Sequence, residues 1–192
     1  SAASDVYKRQ NRNIKCNLKA YQFANFISVA SQHVKESFLL HQYPENRIFV
    51  NPYGVDLSMF KPLPNIPKKY DVIMVGGWGY EKGCDLIVEA IRKTNYSFIH
   101  VGSIKDVDFP QEKNFTHIDP VDQSKLIEYY NQAKVFILPS RQDGFGMVLS
   151  QALACNLPII GSNNCGAPDL KKMVELPEYI TICLLYTSDA AD

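Results

Sequence analysis

The sequence predicts an α/β fold, an open parallel sheet with helices on both faces, and three features point to it. From Lys69 onward, apolar runs of strand length alternate with segments of helical spacing, the order that lays helices over a parallel sheet. One stretch, Ala133 to Ser162, holds a whole unit: a buried strand (Val135 to Leu138), a glycine-bearing loop (Asp143 to Gly146), a short helix (Met147 to Ala154) and a second buried strand (Leu157 to Ile160). Two apolar runs joined by helical spacing form one βαβ unit. The loop of that unit follows its first strand, and ligands of such sheets bind outside the carboxyl ends of the strands.

Ahead of this region, Ile14, Leu18, Tyr21 and Phe23 suggest a short helix from Arg12 to Phe23. Phe26 to Val29 reads as a strand, and Ser31 as the N-cap of a helix from Gln32 to His41, since a serine oxygen can accept from the free amides of a first turn. Arg47 to Val50 is a brief strand ending in the turn-forming Asn51-Pro52-Tyr53-Gly54. Three prolines within Lys61 to Pro67 mark a linker over 61–68, with a new domain beginning near Lys69. That domain opens with the strand Asp71 to Val75, a glycine-rich loop over Gly76-Gly77-Trp78-Gly79 and a helix from about Lys82 to Lys93 with Leu86, Ile87, Ala90 and Ile91 on its core face. Tyr96 to Val101 and Thr116 to Ile118 follow as strands and Lys125 to Gln132 as a helix. Beyond the central unit lie Gly161 to Gly166, a helix from Pro168 to Met173 and a last strand, Tyr179 to Ile182.

The helix after Gly146 places Val148, Leu149, Ala152 and Leu153 on its core stripe and Met147, Ser150, Gln151 and Ala154 on the other side. Gln151 is therefore expected to point away from the core, about a turn and a half beyond the loop of Asp143, so that both side chains converge on one ligand. Gly144 and Gly146 would let backbone approach that ligand, and the helix start favours an anion. A tight strand-to-helix turn with two convenient glycines explains the same residues. Lys82 is expected in the first turn of its helix, where a cation is unfavourable unless an anionic ligand compensates. A solvated lysine balanced by Glu81 also fits.

Composition narrows the classes. The chain has 192 residues, 46% hydrophobic and 21% charged, enough for one full domain and part of another. Lysine plus arginine, at 20, equals aspartate plus glutamate, at 20, so no general field attracts nucleic acid or an anionic membrane. Five cysteines without a C-x-x-C pair argue against a disulfide framework or a zinc site and for reduced thiols in the cytoplasm. No apolar run reaches the length of a membrane-spanning helix and no signal peptide is apparent. The first ten residues, SAASDVYKRQ, and the last ten, CLLYTSDAAD, resemble translated adapter read-through. They are expected to be a non-native leader (1–10) and tail (183–192) around a piece of a larger protein.

Four stretches resemble the C-terminal domain of retaining GT-B glycosyltransferases, the large family that uses nucleotide-sugar donors. They are S-x-x-V-K-x-S at Ser31 to Ser37, N-P-Y-G-V-D-x-x-x-F-x-P at Asn51 to Pro62, V-G-x-x-x-x-E-K-G at Val75 to Gly83, and L-P-S-x-x-D-G-F-G running into the helix to Gln151. The resemblance implies a Rossmann-like donor domain over 69–182, preceded by the end of an acceptor domain over 11–60. It implies sugar transfer with retention from a nucleotide-diphosphate sugar, without metal or cofactor, to an acceptor that is a glycan, a lipid or a small molecule. Asp143 then falls where the family contacts donor sugar hydroxyls, and Lys82 where it binds the diphosphate, making these two the catalytic candidates. Gly77, Trp78, Gly144, Phe145, Gly146, Met147, Val148 and Gln151 complete the donor-binding set.

Three departures stand out. Asp143 and Gln151 occupy positions where the family has glutamates, and Gly77 occupies one where it often has arginine. Glutamine offers one carbonyl acceptor in place of two carboxylate oxygens, and losing the arginine removes charge that would stabilise a departing diphosphate. A non-catalytic nucleotide-sugar-binding or assembly subunit with a decayed site is the alternative these departures favour. A nicotinamide-dependent dehydrogenase is the weaker rival, because Gly76 to Gly79 lacks the G-x-G-x-x-G spacing, with Glu81 where the third glycine belongs.

Overall fold

A computed structural model describes residues 16–184. The predicted leader and the tail from residue 185 lie outside them. The first helix, α1, is helical over residues 16–23; its predicted start, at 12–15, is outside the described residues. Strand β1 (Ile27–Val29) leads to α2 (Gln32–Leu40), and β2 (Ile48–Val50) pairs in parallel with β1. Ser31 caps α2 as expected, its hydroxyl accepting from the Val34 N–H at 3.2 Å.

The main sheet comprises β3 (Tyr70–Val75), β4 (Phe98–Val101), β5 (Phe115–Ile118), β6 (Ala133–Leu138), β7 (Ile159–Ser162) and β8 (Ile180–Cys183). All adjacent pairs are parallel, in the order β5-β4-β3-β6-β7-β8. Counted from its own first strand, this is the 3-2-1-4-5-6 order of a doubly wound sheet, whose direction of travel reverses between β3 and β6. Helices α3 (Cys84–Lys93), α4 (Gln123–Gln132), α5 (Met147–Ala154) and α6 (Ala167–Met173) flank it. Ile73, Ile99 and Phe136 from the sheet and Ile87, Ile91 and Leu149 from the helices are at most 1% exposed and belong to one core. That continuous apolar burial is why these strands lack the alternation of a half-solvated sheet.

Several boundaries shift for local reasons. Helix α3 begins at Cys84, not Lys82, because Tyr80–Lys82 form a 3-10 turn and Gly83, at φ 71°, adopts a left-handed conformation before the helix. Strand β7 begins two residues later than the apolar run suggests. Asn156 is left-handed (φ 56°) and the Leu157 N–H returns to Ala152 O at 3.0 Å, so Leu157, expected to open the strand, instead helps close α5. The last strand takes in Cys183, the first residue assigned to the tail. The proline-rich segment is anchored at its start. Phe60 is buried in the core, and Asn131 at the end of α4 accepts from the Leu63 N–H at 2.8 Å and donates to Lys61 O at 3.1 Å.

Candidate functional site

The two central strands, β3 and β6, deliver their loops to the same place. Gly83 makes this possible: a Cβ there would lie 2.0 Å from the Pro139 carbonyl oxygen, so only glycine lets the end of the first loop pack on the backbone leaving β6. The result is the closest polar contact between the two loops. Lys82 Nζ donates to Asp143 Oδ2 at 2.7 Å, with the side chains 20% and 16% exposed. The Phe145 N–H donates to the other Asp143 oxygen at 3.2 Å. Sequence reasoning had named both residues for one ligand, and the fold brings them together across 61 positions of chain.

The first loop is stapled to the loop after β4. Gly76 N–H donates to Val101 O at 3.0 Å, Trp78 N–H to Ser103 O at 2.7 Å and Lys105 N–H to Trp78 O at 3.0 Å. A Cβ on Gly102, at φ 151°, would fall 1.9 Å from Gly76 O. Beneath them, His100 Nε2 lies 2.8 Å from Gly76 O, which as a carbonyl can only accept, so Nε2 carries a proton. His100 Nδ1 is 3.0 Å from His117 Nδ1. Burial pushes the His100 imidazole down to about 4; the Gly76 bond opposes this and the nearby His117 adds to it. Val75, Gly76, Gly77, Gly102, Ser103 and Val121 border an open cleft of about 250 Å³ at the carboxyl ends of β3 and β4.

Trp78 departs from its predicted role. Its indole is 0% exposed and packs on His100, Phe109 and Phe115, with Nε1 donating to Asp108 O at 3.4 Å. Its own N–H and carbonyl are already bonded to the loop after β4, so Trp78 serves the core and offers a ligand neither side chain nor free backbone. Phe145 is likewise buried, in edge contact with Tyr53 at 5.8 Å.

Helix α5 differs from the expected pattern at Gln151. Its face toward the interior carries Leu149, Ser150, Gln151 and Ala152, whereas Val148 is half-buried and Met147 exposed. Gln151, only 6% exposed, does not point away from the core: Tyr130 Oη donates to its Oε1 at 2.9 Å. A buried phenol needs an acceptor, and α4 supplies that phenol from below the helix. The Gln151 carbonyl is thus engaged, and what remains for a ligand is its amide NH2. Gln151 and Met147 line a second cavity of about 240 Å³ with Gly54, Val55, Asp56 and Gln123, apart from the cleft that Gly77 lines. The α5 N-cap, Gly146, is left-handed at φ 75° and no side chain caps the helix, which leaves its first amides unclaimed by a capping side chain. Gly144 has open space around its Cα and its carbonyl accepts from Ser31 Oγ at 2.6 Å, so its use is not steric.

Sequence reasoning passed over Arg141, Tyr130 and Lys105. Arg141 binds both oxygens of Asp85 at 2.6 and 2.8 Å and lies 3.7 Å over the Tyr80 ring, holding the first loop against the loop after β6. Its place between Ser140 and the D-G-F-G loop was the available signal. Nothing in the local sequence marks Tyr130 or Lys105. Among the described residues no cluster of His, Cys, Asp or Glu has the arrangement of a metal site, and no helix is long and apolar enough to cross a membrane.

A family model described as glycosyl transferases group 1 matches residues 57–175. A "Probable sucrose-phosphate synthase" of Thermosipho melanesiensis is 25% identical over 88% of this chain and 47% of its own length. The sulfoquinovosyl transferase SQD2 of Arabidopsis thaliana is 30% identical over 61% of this chain and 26% of its own. Among solved structures, Anabaena Alr3699/HepE in complex with UDP superposes with a TM-score of 0.71 at 17% identity, over 88% of this chain and 52% of that one. The chain spans about half the length of the first of these relatives.

Proposed function

The chain belongs to the group 1 glycosyl transferases, and from that premise we propose that it is the donor-binding part of an enzyme that transfers a sugar from a nucleotide-diphosphate sugar with retention. The observation that supports this most is the 2.7 Å contact of Lys82 with Asp143 at the point where the strand order reverses. There a single ligand reaches both loops. When the bond from the sugar to the diphosphate breaks, negative charge gathers on the leaving phosphate and requires pre-placed positive groups. Lys82, turning from Asp143 to the phosphate, supplies one, and the amides at the start of α5 add to it. Asp143, freed of Lys82, accepts from sugar hydroxyls. The chemistry uses no bound metal or cofactor, and the acceptor, a glycan, a lipid or a small molecule, is held by a domain of which residues 11–60 are the end. The nucleobase fits the cleft beside Gly102, Ser103 and Val121. The five unpaired thiols, none of them in a disulfide, suit the cytoplasm.

A second reading, a subunit that keeps the fold but not the turnover, is favoured by one observation: the Gln151 carbonyl is already held by Tyr130. A glutamate there would give one oxygen to Tyr130 and the other to the cavity, so Gln151→Glu raises donor affinity in a weakened transferase and leaves it unchanged in a decayed site. The primary test is calorimetric titration of the chain with UDP, GDP and ADP beside Lys82→Ala. Saturable binding of one nucleotide, weakened in the variant, supports the donor site. Absence of binding by folded protein refutes it. The chain alone is expected to bind donor without turnover, so glycosyl transfer by it would overturn the assignment of the acceptor site to an N-terminal domain.

A further inference from the structure

The three cations around the first loop differ in whether a carboxylate already holds them. Lys82 is bonded to Asp143 at 2.7 Å, and Arg141 to Asp85 at 2.6 and 2.8 Å. The Lys105 ammonium has no hydrogen bond or ion pair among the described residues. Its neighbour Asp106 is turned elsewhere, accepting from the Tyr80 N–H at 2.8 Å.

Where Lys105 lies is decided by backbone. Its N–H is bonded to Trp78 O at 3.0 Å, and the adjoining Ile104 pairs with Trp78 in a parallel bridge. From there the side chain runs back across the first loop. A Cβ on Gly77 would lie 2.5 Å from Lys105 Cε, 3.0 Å from Cδ and 3.2 Å from Nζ. Lys105 therefore fills the space that a side chain at position 77 would occupy, and its ammonium lies over a glycine that borders the cleft of β3 and β4.

The charge balance gives this placement a use. The Lys82–Asp143 pair sums to zero, while a diphosphate carries several negative charges and needs a site with net positive potential. Resting on the donor-site proposal above, we propose that Lys105 is the second diphosphate-binding cation of this protein. It reaches across from the loop after β4 to the place that Gly77 leaves open.

The test is titration of the full chain, wild type, Lys105→Ala, Lys105→Arg and Lys82→Ala, with UDP, GDP and ADP at low and high salt. For the nucleotide that wild type binds, Lys105→Ala should weaken affinity about tenfold, as loss of one charge-assisted contact does. Lys105→Arg should recover most of that loss, and the salt dependence in Lys105→Ala should be shallower than in wild type, which a loss of packing would not produce. Adding Gly77→Arg to Lys105→Ala should restore affinity, because the arginine grows into the vacated space. Affinity within twofold of wild type in Lys105→Ala, with Lys82→Ala still weakened, overturns the Lys105 assignment and leaves the donor site standing. Wild-type protein that is folded and binds none of the three nucleotides overturns both.

Discussion

The site contains two polar pairs at similar distances with opposite characters. Lys82 and Asp143 meet at 2.7 Å with part of each side chain still exposed, whereas Tyr130 and Gln151 meet at 2.9 Å, at 0% and 6% exposure. The first pair is charged and wet, so a ligand can take either partner while water covers the other, and such pairs add little to stability. The second is neutral and dry, and breaking it leaves a buried group without a partner, at a cost of about 1–3 kcal/mol. Asp143 and Gln151, one from each pair, look alike in sequence, as polar residues bracketing a glycine loop. Burial separates a pair that water still reaches from one closed inside the fold.

The strongest way to break the contrast is Gly83→Ala. The added methyl meets the Pro139 carbonyl and the backbone is left-handed there, so the loop carrying Lys82 must move. We expect a loss of about 3 kcal/mol or more in denaturant titration, together with the loss of nucleotide binding. Acid should act next, through His100. Its folded value of about 4 lies below the ordinary 6.5, so the unfolded chain binds more protons between these values. Stability is then full above about pH 6.5 and falls as pH drops toward 4, by up to about 3 kcal/mol. Urea midpoints measured across that range should slope in wild type and flatten in His100→Phe.

Tyr130→Phe tests the dry pair. It should lower stability by about 1–3 kcal/mol, read from the urea midpoint, and leave nucleotide affinity within about threefold. Lys82→Ala tests the wet pair and should do the reverse, weakening nucleotide affinity about tenfold while stability shifts by less than about 1 kcal/mol. A Lys82→Ala variant that unfolds as readily as Tyr130→Phe would erase the distinction between the pairs.

The elements were legible because each leaves a local trace. The buried strands appear as unbroken apolar runs, the Ser31 cap as a serine before a helical pattern, and Asp143 and Gly146 as loop residues between a strand and a helix; Lys82, expected inside its helix, precedes it. Where local traces compete, the sequence misled. Leu157 is as apolar as the strand it precedes, yet its N–H closes α5, and a helical wheel put Gln151 outside although Tyr130 draws it in. Trp78 sits in a glycine loop, the usual address of a ligand contact, and is a core residue.

By itself, the sequence determined the kind of fold, the order of its elements and the glycine-bearing loops after β3 and β6, since these follow from periodicity and turn chemistry along the chain. The tertiary structure decided which side chains share a partner. Tyr130 and Gln151 are 21 positions apart, Lys82 and Asp143 61, and Lys105 reaches Gly77 from another loop. Such pairings arise from the strand order β5-β4-β3-β6-β7-β8, which sets β3 beside β6 and exists only once the sheet has formed.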